Sequence, residues 1–270
     1  MPLDVAAEVL SNTHLSPDYN VLALAAPLIA ERALPGQFVM VKAGDRLEPL
    51  LRRPFSVFEI LKERGQIVGL SLLSKRIGPS TARLFDARPG DRVQCLGPLG
   101  RPFAPVNAPD AAWIVAGGVG LAPFVALAET LRARTVKTTL YYGARRAAEL
   151  FHLDEFERLG VELVLSTEDG SRGERGRVTQ PLERDLKARP QSAPVMIYAC
   201  GPEPMLAAVA RLSASYGRPC QVSVERVMGC GLGGCYSCVI PIRTADGGWH
   251  HVRSCLAGPV FPGEDIVWER

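Results

Sequence analysis

The chain has 270 residues, 47% hydrophobic and 22% charged, which is the balance of a folded globular protein and excludes disordered, collagenous and coiled-coil classes. Its net charge is +3, from 31 basic and 28 acidic residues with no long run of either sign, so no electrostatic footprint for nucleic acid is present. Met1-Pro2-Leu3-Asp4-Val5 shows no basic segment leading into an apolar core, so no secretory signal is readable. The uncharged stretch from Ala111 to Ala128 is long enough to raise a membrane span, but Gly117, Gly118, Gly120 and Pro123 break it into strand, turn and helix start.

In chain order, residues 1–106 alternate short β-like runs with Pro and Gly turns: Phe38 to Lys42, Arg53 to Leu61, Ile67 to Lys75, and Asp91 to Gly97. This pattern predicts an antiparallel barrel or sandwich. Three prolines between Arg101 and Asp110 predict a boundary there, because proline breaks both ladders and helices. Residues 107–216 then alternate apolar strands and helices. Strands are expected at Trp113–Ala116, Thr138–Tyr142, Val161–Ser166 and Pro194–Ala199, and helices from about Ala122, around Glu149–Leu159 and at Pro204–Ser213. Such alternation predicts a doubly wound α/β domain with a parallel sheet. After Tyr216-Gly217 helices are expected to stop, and residues 217–270 form a small glycine- and cysteine-rich region with a β run at Val239–Arg243.

Four of the seven cysteines fall in the spacing Cys230-x4-Cys235-x2-Cys238-x16-Cys255. Without a readable signal, and with three thiols in one short loop, ligation in a reducing, cytoplasmic setting is a better reading than disulfides. The spacing of four, two and a distant fourth is the plant-type 2Fe-2S arrangement. Gly229, Gly231, Gly233 and Gly234 let the loop bring backbone amides close to bridging sulfides. A structural zinc site is the alternative, although zinc more often pairs two short Cys turns.

Three further motifs carry chemistry. Arg53-Pro54-Phe55-Ser56 places a cation and a hydroxyl at the start of a β run, where a guanidinium can hold a pyrophosphate. Gly117-Gly118-Val119-Gly120-Leu121-Ala122-Pro123 lies at a strand-to-helix turn, which suits either phosphate approach or plain close packing. Cys200-Gly201-Pro202-Glu203-Pro204-Met205 lies at another strand end, so the two turns should meet at one crevice and bring Cys200 near a redox ring. A buried structural thiol is the alternative for Cys200.

In this order the motifs resemble the ferredoxin-NADP reductase superfamily over nearly the whole chain. Within it, Ser223-x-Glu225-x2-Met228-x-Cys230-Gly231 and Thr167-Glu168-Asp169-Gly170-Ser171 with Gly173 and Gly176 resemble the electron transfer subunits of class 1B, NAD-dependent, dihydroorotate dehydrogenases. The resemblance implies a multi-domain oxidoreductase subunit: a β-barrel binding FAD, an α/β domain binding NAD, and a C-terminal iron-sulfur subdomain. It implies flavin contacts at Arg53, Pro54, Phe55, Ser56, Leu73, Ser74, Lys75, Ser80 and Thr81. NAD contacts are implied at Gly117, Gly118, Gly120, Pro123, Cys200, Gly201 and Pro202, and cluster ligands at Cys230, Cys235, Cys238 and Cys255. Ser80 stands where family members usually have glycine, and Ser74 where an aromatic residue is common.

The implied partner is an FMN-containing catalytic subunit, in a heterotetramer of two of each chain, serving pyrimidine (UMP) biosynthesis. Leu232, Tyr236, Val260 and Phe261 are the expected apolar surface facing it. NAD(P)H-linked subunits of hydrogenase, sulfide dehydrogenase or transhydrogenase-like complexes share the order of motifs, and a zinc-stabilised binding module is the alternative of another class. Cofactor preference is divided, since Arg145 and Arg146 suit a 2′-phosphate whereas Glu168 and Asp169 suit a free ribose.

Overall fold

The computed structural model describes residues 1–44, 49–108 and 110–268. Strands β1 (Leu3–His14), β2 (Tyr19–Ala25), β3 (Phe38–Ala43), β4 (Arg53–Ser56), β5 (Glu59–Glu63), β6 (Gln66–Lys75) and β7 (Arg92–Leu99) form one antiparallel sheet, with short helices α1 (Pro27–Ala30) and α2 (Pro79–Phe85) beside it. The sheet order is β4-β3-β7-β1-β2-β6-β5. Its two edges, β4 and β5, are joined by Val57 and Phe58 alone, so the sheet has to curl until its edges approach, which makes the half-barrel. The run Arg53–Leu61, expected as one strand, is therefore two, broken where Val57 and Phe58 turn into the interior. Alternate residues such as Val39 and Val41, Leu22 and Leu24, and Leu70 and Leu72 fill the core, as the two-residue period of a strand requires.

The second sheet contains β8 (Ala111–Gly117), β9 (Lys137–Ala144), β10 (Glu162–Thr167), β11 (Glu174–Arg175), β12 (Val195–Cys200), β13 (Cys220–Ser223) and β16 (Val260–Pro262). Their order is β11-β10-β9-β8-β12-β13-β16, parallel except for β16. Helices α3 (Phe124–Ala133) and α4 (Leu153–Arg158) pack on one face, and α5 (Thr179–Ala188) and α6 (Glu203–Ser215) on the other. All seven residues of β8 are buried, which explains the long uncharged stretch as an interior strand followed by a turn and a helix. No helix among the described residues is long and apolar enough to cross a membrane. The expected helix over Glu149–Leu159 is a single 3-10 turn and the shorter α4, because His152 between them takes the left-handed conformation.

From β8 the chain winds outward through β9, β10 and β11, then returns to the other side of β8 with β12 and β13. The strand order reverses between β8 and β12, and ligands of open α/β sheets sit outside the carboxyl ends at such a point.

Between β13 and β16 the chain makes an excursion: the cysteine loop, a hairpin of β14 (Val239–Arg243) and β15 (Trp249–Arg253), and α7 (Ser254–Ala257). Helices thus do not stop at Gly217; one more turn, α7, carries Cys255. Val260 and Phe261, expected on a partner-facing surface, are 8% and 6% exposed. They lie on β16, whose alternation sends one side chain into each of the two cores flanking the sheet.

Candidate functional site

A cleft of about 580 Å³ separates the half-barrel from the α/β half. All nine residues expected to contact flavin line it: Arg53, Pro54, Phe55 and Ser56 on β4; Leu73, Ser74 and Lys75 at the end of β6; and Ser80 and Thr81 in the first turn of α2. The opposite wall comes from Val119, Ala122, Cys200 and the segment Ser223–Met228.

The polar chemistry of this wall is that of a site built for an anionic, hydrogen-bonding ligand. The hydroxyls of Ser74 and Ser80 are buried and have no protein partner, a costly arrangement unless a ligand satisfies them. Thr81 Oγ1 accepts the N–H groups of Ile77 and Gly78 at 2.9 and 3.0 Å, so it fixes the turn ahead of α2. A Cβ on Gly78 would meet nothing within 4 Å, so the close backbone approach that serine denies at position 80 is available two residues earlier. Arg53 donates to the carbonyls of Leu51 and Arg52 and forms no ion pair among the described residues, which leaves its charge for an anion. These features fit a flavin nucleotide.

Cys200 ends β12 in register with Ala116 of β8, so the two glycine-containing turns are side by side. Burial, and after it the negative charge of Glu225, pushes the Cys200 thiol well above its usual range, so it stands in the cleft as a neutral thiol. The glycines of the turns divide into two kinds. A Cβ on Gly120 would lie 2.2 Å from the Cys200 carbonyl oxygen, and one on Gly117 would lie 2.8 Å from Met205 Sδ and 3.0 Å from Pro202 Cδ. Gly201 has φ +154° and packs against Gly117. These three serve close packing of the two turns. Gly118, at φ +55°, faces open space and is the one whose backbone a phosphate can approach. Pro123 caps the start of α3 and does not line the cleft.

At the neighbouring strand ends, Arg146 pairs with Glu149 at 3.3 Å, and Asp169 accepts from the N–H and hydroxyl of Ser171. Those bonds hold the Asp169 carboxyl below its ordinary range and commit it to its own turn, so Glu168 is the carboxylate left open at this edge.

The four cysteines of the C-terminal motif come together. Cys235 is an electrostatic neighbour of Cys230, and Cys255 of both Cys238 and Cys230. Among the described residues no three His, Cys, Asp or Glu side chains converge to hold a single metal ion. Four thiols brought together in this spacing suit two bridged irons, each taking two sulfurs. Ser237, first, and Cys230 pull the exposed Cys235 thiol down to about 6, while burial pushes Cys255 up to about 12. Gly231 at φ +70° and Gly233 at φ +82° shape the loop, and a Cβ on Gly231 would strike Met40 of β3 at 2.6 Å. Cys238 and Cys255 are buried in one apolar cluster with Phe38, Met40, Leu96, Leu99 and Met228. Phe38 and Met228 of that cluster also line the cleft, so the two sites share a wall. Outside, Leu232, Tyr236, Trp249 and Leu256 are exposed, and Arg253 reaches the Gly233 carbonyl while covering the Tyr236 ring at 4.8 Å.

Reading motifs alone missed Phe38, Ile77, Gly78 and Val227 on the cleft wall. Ile77 and Gly78 sit between Leu73–Lys75 and Ser80–Thr81, and that position is the signal the sequence offers for them.

Residues 114–211 match the family described as oxidoreductase NAD-binding domain, and residues 225–267 match the iron-sulfur cluster binding domain of dihydroorotate dehydrogenase B. In the solved structure described as an NADH-dependent reduced ferredoxin-NADP oxidoreductase, a chain superposes with TM-score 0.84 at 27% identity, covering 98% of this chain and 90% of that one. A ferredoxin NADP+ reductase from Neisseria gonorrhoeae, at 22% identity and TM-score 0.64 over 79% of this chain and 92% of that one, shares the fold. The dihydroorotate dehydrogenase B (NAD(+)) electron transfer subunit of Bacillus caldolyticus is 40% identical, covering 91% of each chain. That of Desulforamulus reducens is 37% identical over 97% of this chain and 98% of its own. Identity of this degree over whole lengths, on a fold that brings the cleft and the paired cysteines together, means that the chain belongs to the family of electron transfer subunits of dihydroorotate dehydrogenase B.

Proposed function

We propose that this chain carries electrons between NAD(H) and an FMN-containing catalytic subunit that acts on dihydroorotate, as an oxidoreductase subunit of pyrimidine biosynthesis working in the cytoplasm. Residues 1–106 hold FAD, residues 107–216 hold NAD(H), and residues 217–270 hold a 2Fe-2S cluster. A heterotetramer of two copies of each chain is the assembly we favour. The observation that carries the reading is the shared wall: Phe38 and Met228 line the cleft on one side and bury Cys238 and Cys255 on the other. One-electron transfer needs closely spaced sites, and an apolar wall keeps water from both.

A bound flavin supplies exchange between two-electron and one-electron chemistry, and a bound cluster supplies one-electron transfer. The chain's own residues do the rest. Arg53 offers the positive charge, and Ser74 and Ser80 donate hydrogen bonds that have no other acceptor. Gly118 opens the backbone to a nucleotide phosphate, and Cys200 fills the crevice as a neutral, water-excluding side chain. Cys230, Cys235, Cys238 and Cys255 supply the thiolates. The exposed Leu232, Tyr236 and Leu256 around that loop favour a partner seated over the cluster.

Co-expression with an FMN-containing dihydroorotate dehydrogenase chain tests the assignment. The purified complex should reduce NAD+ at the expense of dihydroorotate, whereas the catalytic chain alone should not. A fully loaded complex without that activity, or stable co-purification with a nickel-containing subunit, would move the protein to another redox complex.

A further inference from the structure

Two of the most exposed apolar side chains among the described residues stand on the rim of the flavin cleft. Ile77, between β6 and α2, is 79% exposed, and Val227, in the segment after β13, is 81% exposed. Both line the same cleft, one from the half-barrel side and one from the other wall. Neither is a loose tip. The Ile77 N–H is held by Thr81 Oγ1 at 2.9 Å, and the preceding Arg76 N–H by the Asp18 carbonyl at 2.7 Å. Beside Val227, Arg226 makes two bonds to Glu203 at 2.9 and 3.2 Å, and Met228 is buried. The backbone therefore fixes two aliphatic side chains facing water, an arrangement that gains free energy once an apolar surface covers them.

The layout of the cleft says which surface that is. Cys200, 2% exposed, marks the inner end, next to the switch point of the parallel sheet where the redox ring has to meet a nicotinamide. Gly78, with open backbone, and the unpaired Ser80 hydroxyl mark the stretch suited to phosphates. Ile77 precedes Gly78 in sequence and, being 79% exposed, stands at the mouth of the cleft beside this stretch. In a dinucleotide the group beyond the phosphates is a second flat aromatic ring, whereas a mononucleotide ends at its phosphate. Resting on the flavin reading above, we infer that Ile77 and Val227 grip the adenine ring of FAD and so select the dinucleotide over FMN.

The test is to titrate the full-length protein, stripped of flavin but keeping its cluster, and its Ile77→Ala/Val227→Ala double variant with FAD and with FMN, following quenching of flavin fluorescence. Both residues are exposed, so the fold should survive, and iron content reports whether it has. The expected result is FAD binding weakened about tenfold, with FMN binding unchanged. Equal weakening of both flavins, or of neither, would overturn the adenine grip while leaving the flavin reading intact. A wild-type chain that takes up neither flavin would overturn that reading and this inference together.

Discussion

Cys235→Ser is expected to abolish the cluster absorption and all electron delivery to the catalytic partner, while about one FAD per chain is retained and NADH is still oxidised by a two-electron dye. Cys235 is exposed and belongs to the Cys230/Cys235 pair, so its loss leaves one iron short of a sulfur without opening a cavity in the core. A serine hydroxyl is a poor substitute, because iron in these clusters is held by thiolates. FAD should stay because Arg53 and Ser74 stand on the half-barrel sheet and Ser80 on α2 beside it, whereas the cysteine loop extends from the parallel sheet between β13 and β14. Iron, sulfide and flavin analysis of the variant checks this. Simultaneous loss of flavin would show that the wall made by Phe38 and Met228 collapses without the cluster, and that the cysteine region is not a separate unit.

Gly120→Ala is expected to slow reduction of the flavin by NADH about a hundredfold and to lower stability by about 1–3 kcal/mol. The added methyl would lie 2.2 Å from the Cys200 carbonyl oxygen and 2.6 Å from the Gly201 nitrogen, both backbone atoms that no rotamer change can move aside. The β8 and β12 turns would have to separate at the place where the nicotinamide and flavin rings need to meet. A displacement of an ångström there is enough for a loss of this size. Stopped-flow reduction and thermal unfolding measure the two effects. Unchanged reduction kinetics would mean that the crevice between these turns is not where NADH binds.

Much of this architecture is legible in the residues. The cysteine spacing identifies the metal-binding loop, and the apolar run around Trp113 marks the buried strand beside which the nucleotide turn lies. Other parts depend on tertiary context. Strand β1, in Leu3–His14, is rich in alanine and short polar residues and owes its conformation to pairing with β2 and β7 on either side. The break between β4 and β5 is invisible as pattern, since Val57 and Phe58 are as strand-like as their neighbours; only closure of the sheet demands it. Helix α5 carries Pro181 within its first turn, which hides a helical period. Val260 and Phe261, expected on a partner-facing surface, are returned to the parallel sheet by β16, which no residue pattern announces. The same return explains Ser223–Met228 on the cleft wall: this segment leads from the parallel sheet to the metal loop and touches both sites on the way.

One chain is expected to join a nucleotide-reducible flavin to an iron-sulfur cluster across a shared apolar wall. Anaerobic titration of the isolated holoprotein with NADH, followed by visible and low-temperature paramagnetic resonance spectra, tests it most directly. Bleaching of the flavin and the resonance of a reduced 2Fe-2S cluster, with about two irons per chain, are the expected result. Flavin that bleaches while an intact cluster stays oxidised, or zinc in place of iron, would contradict it.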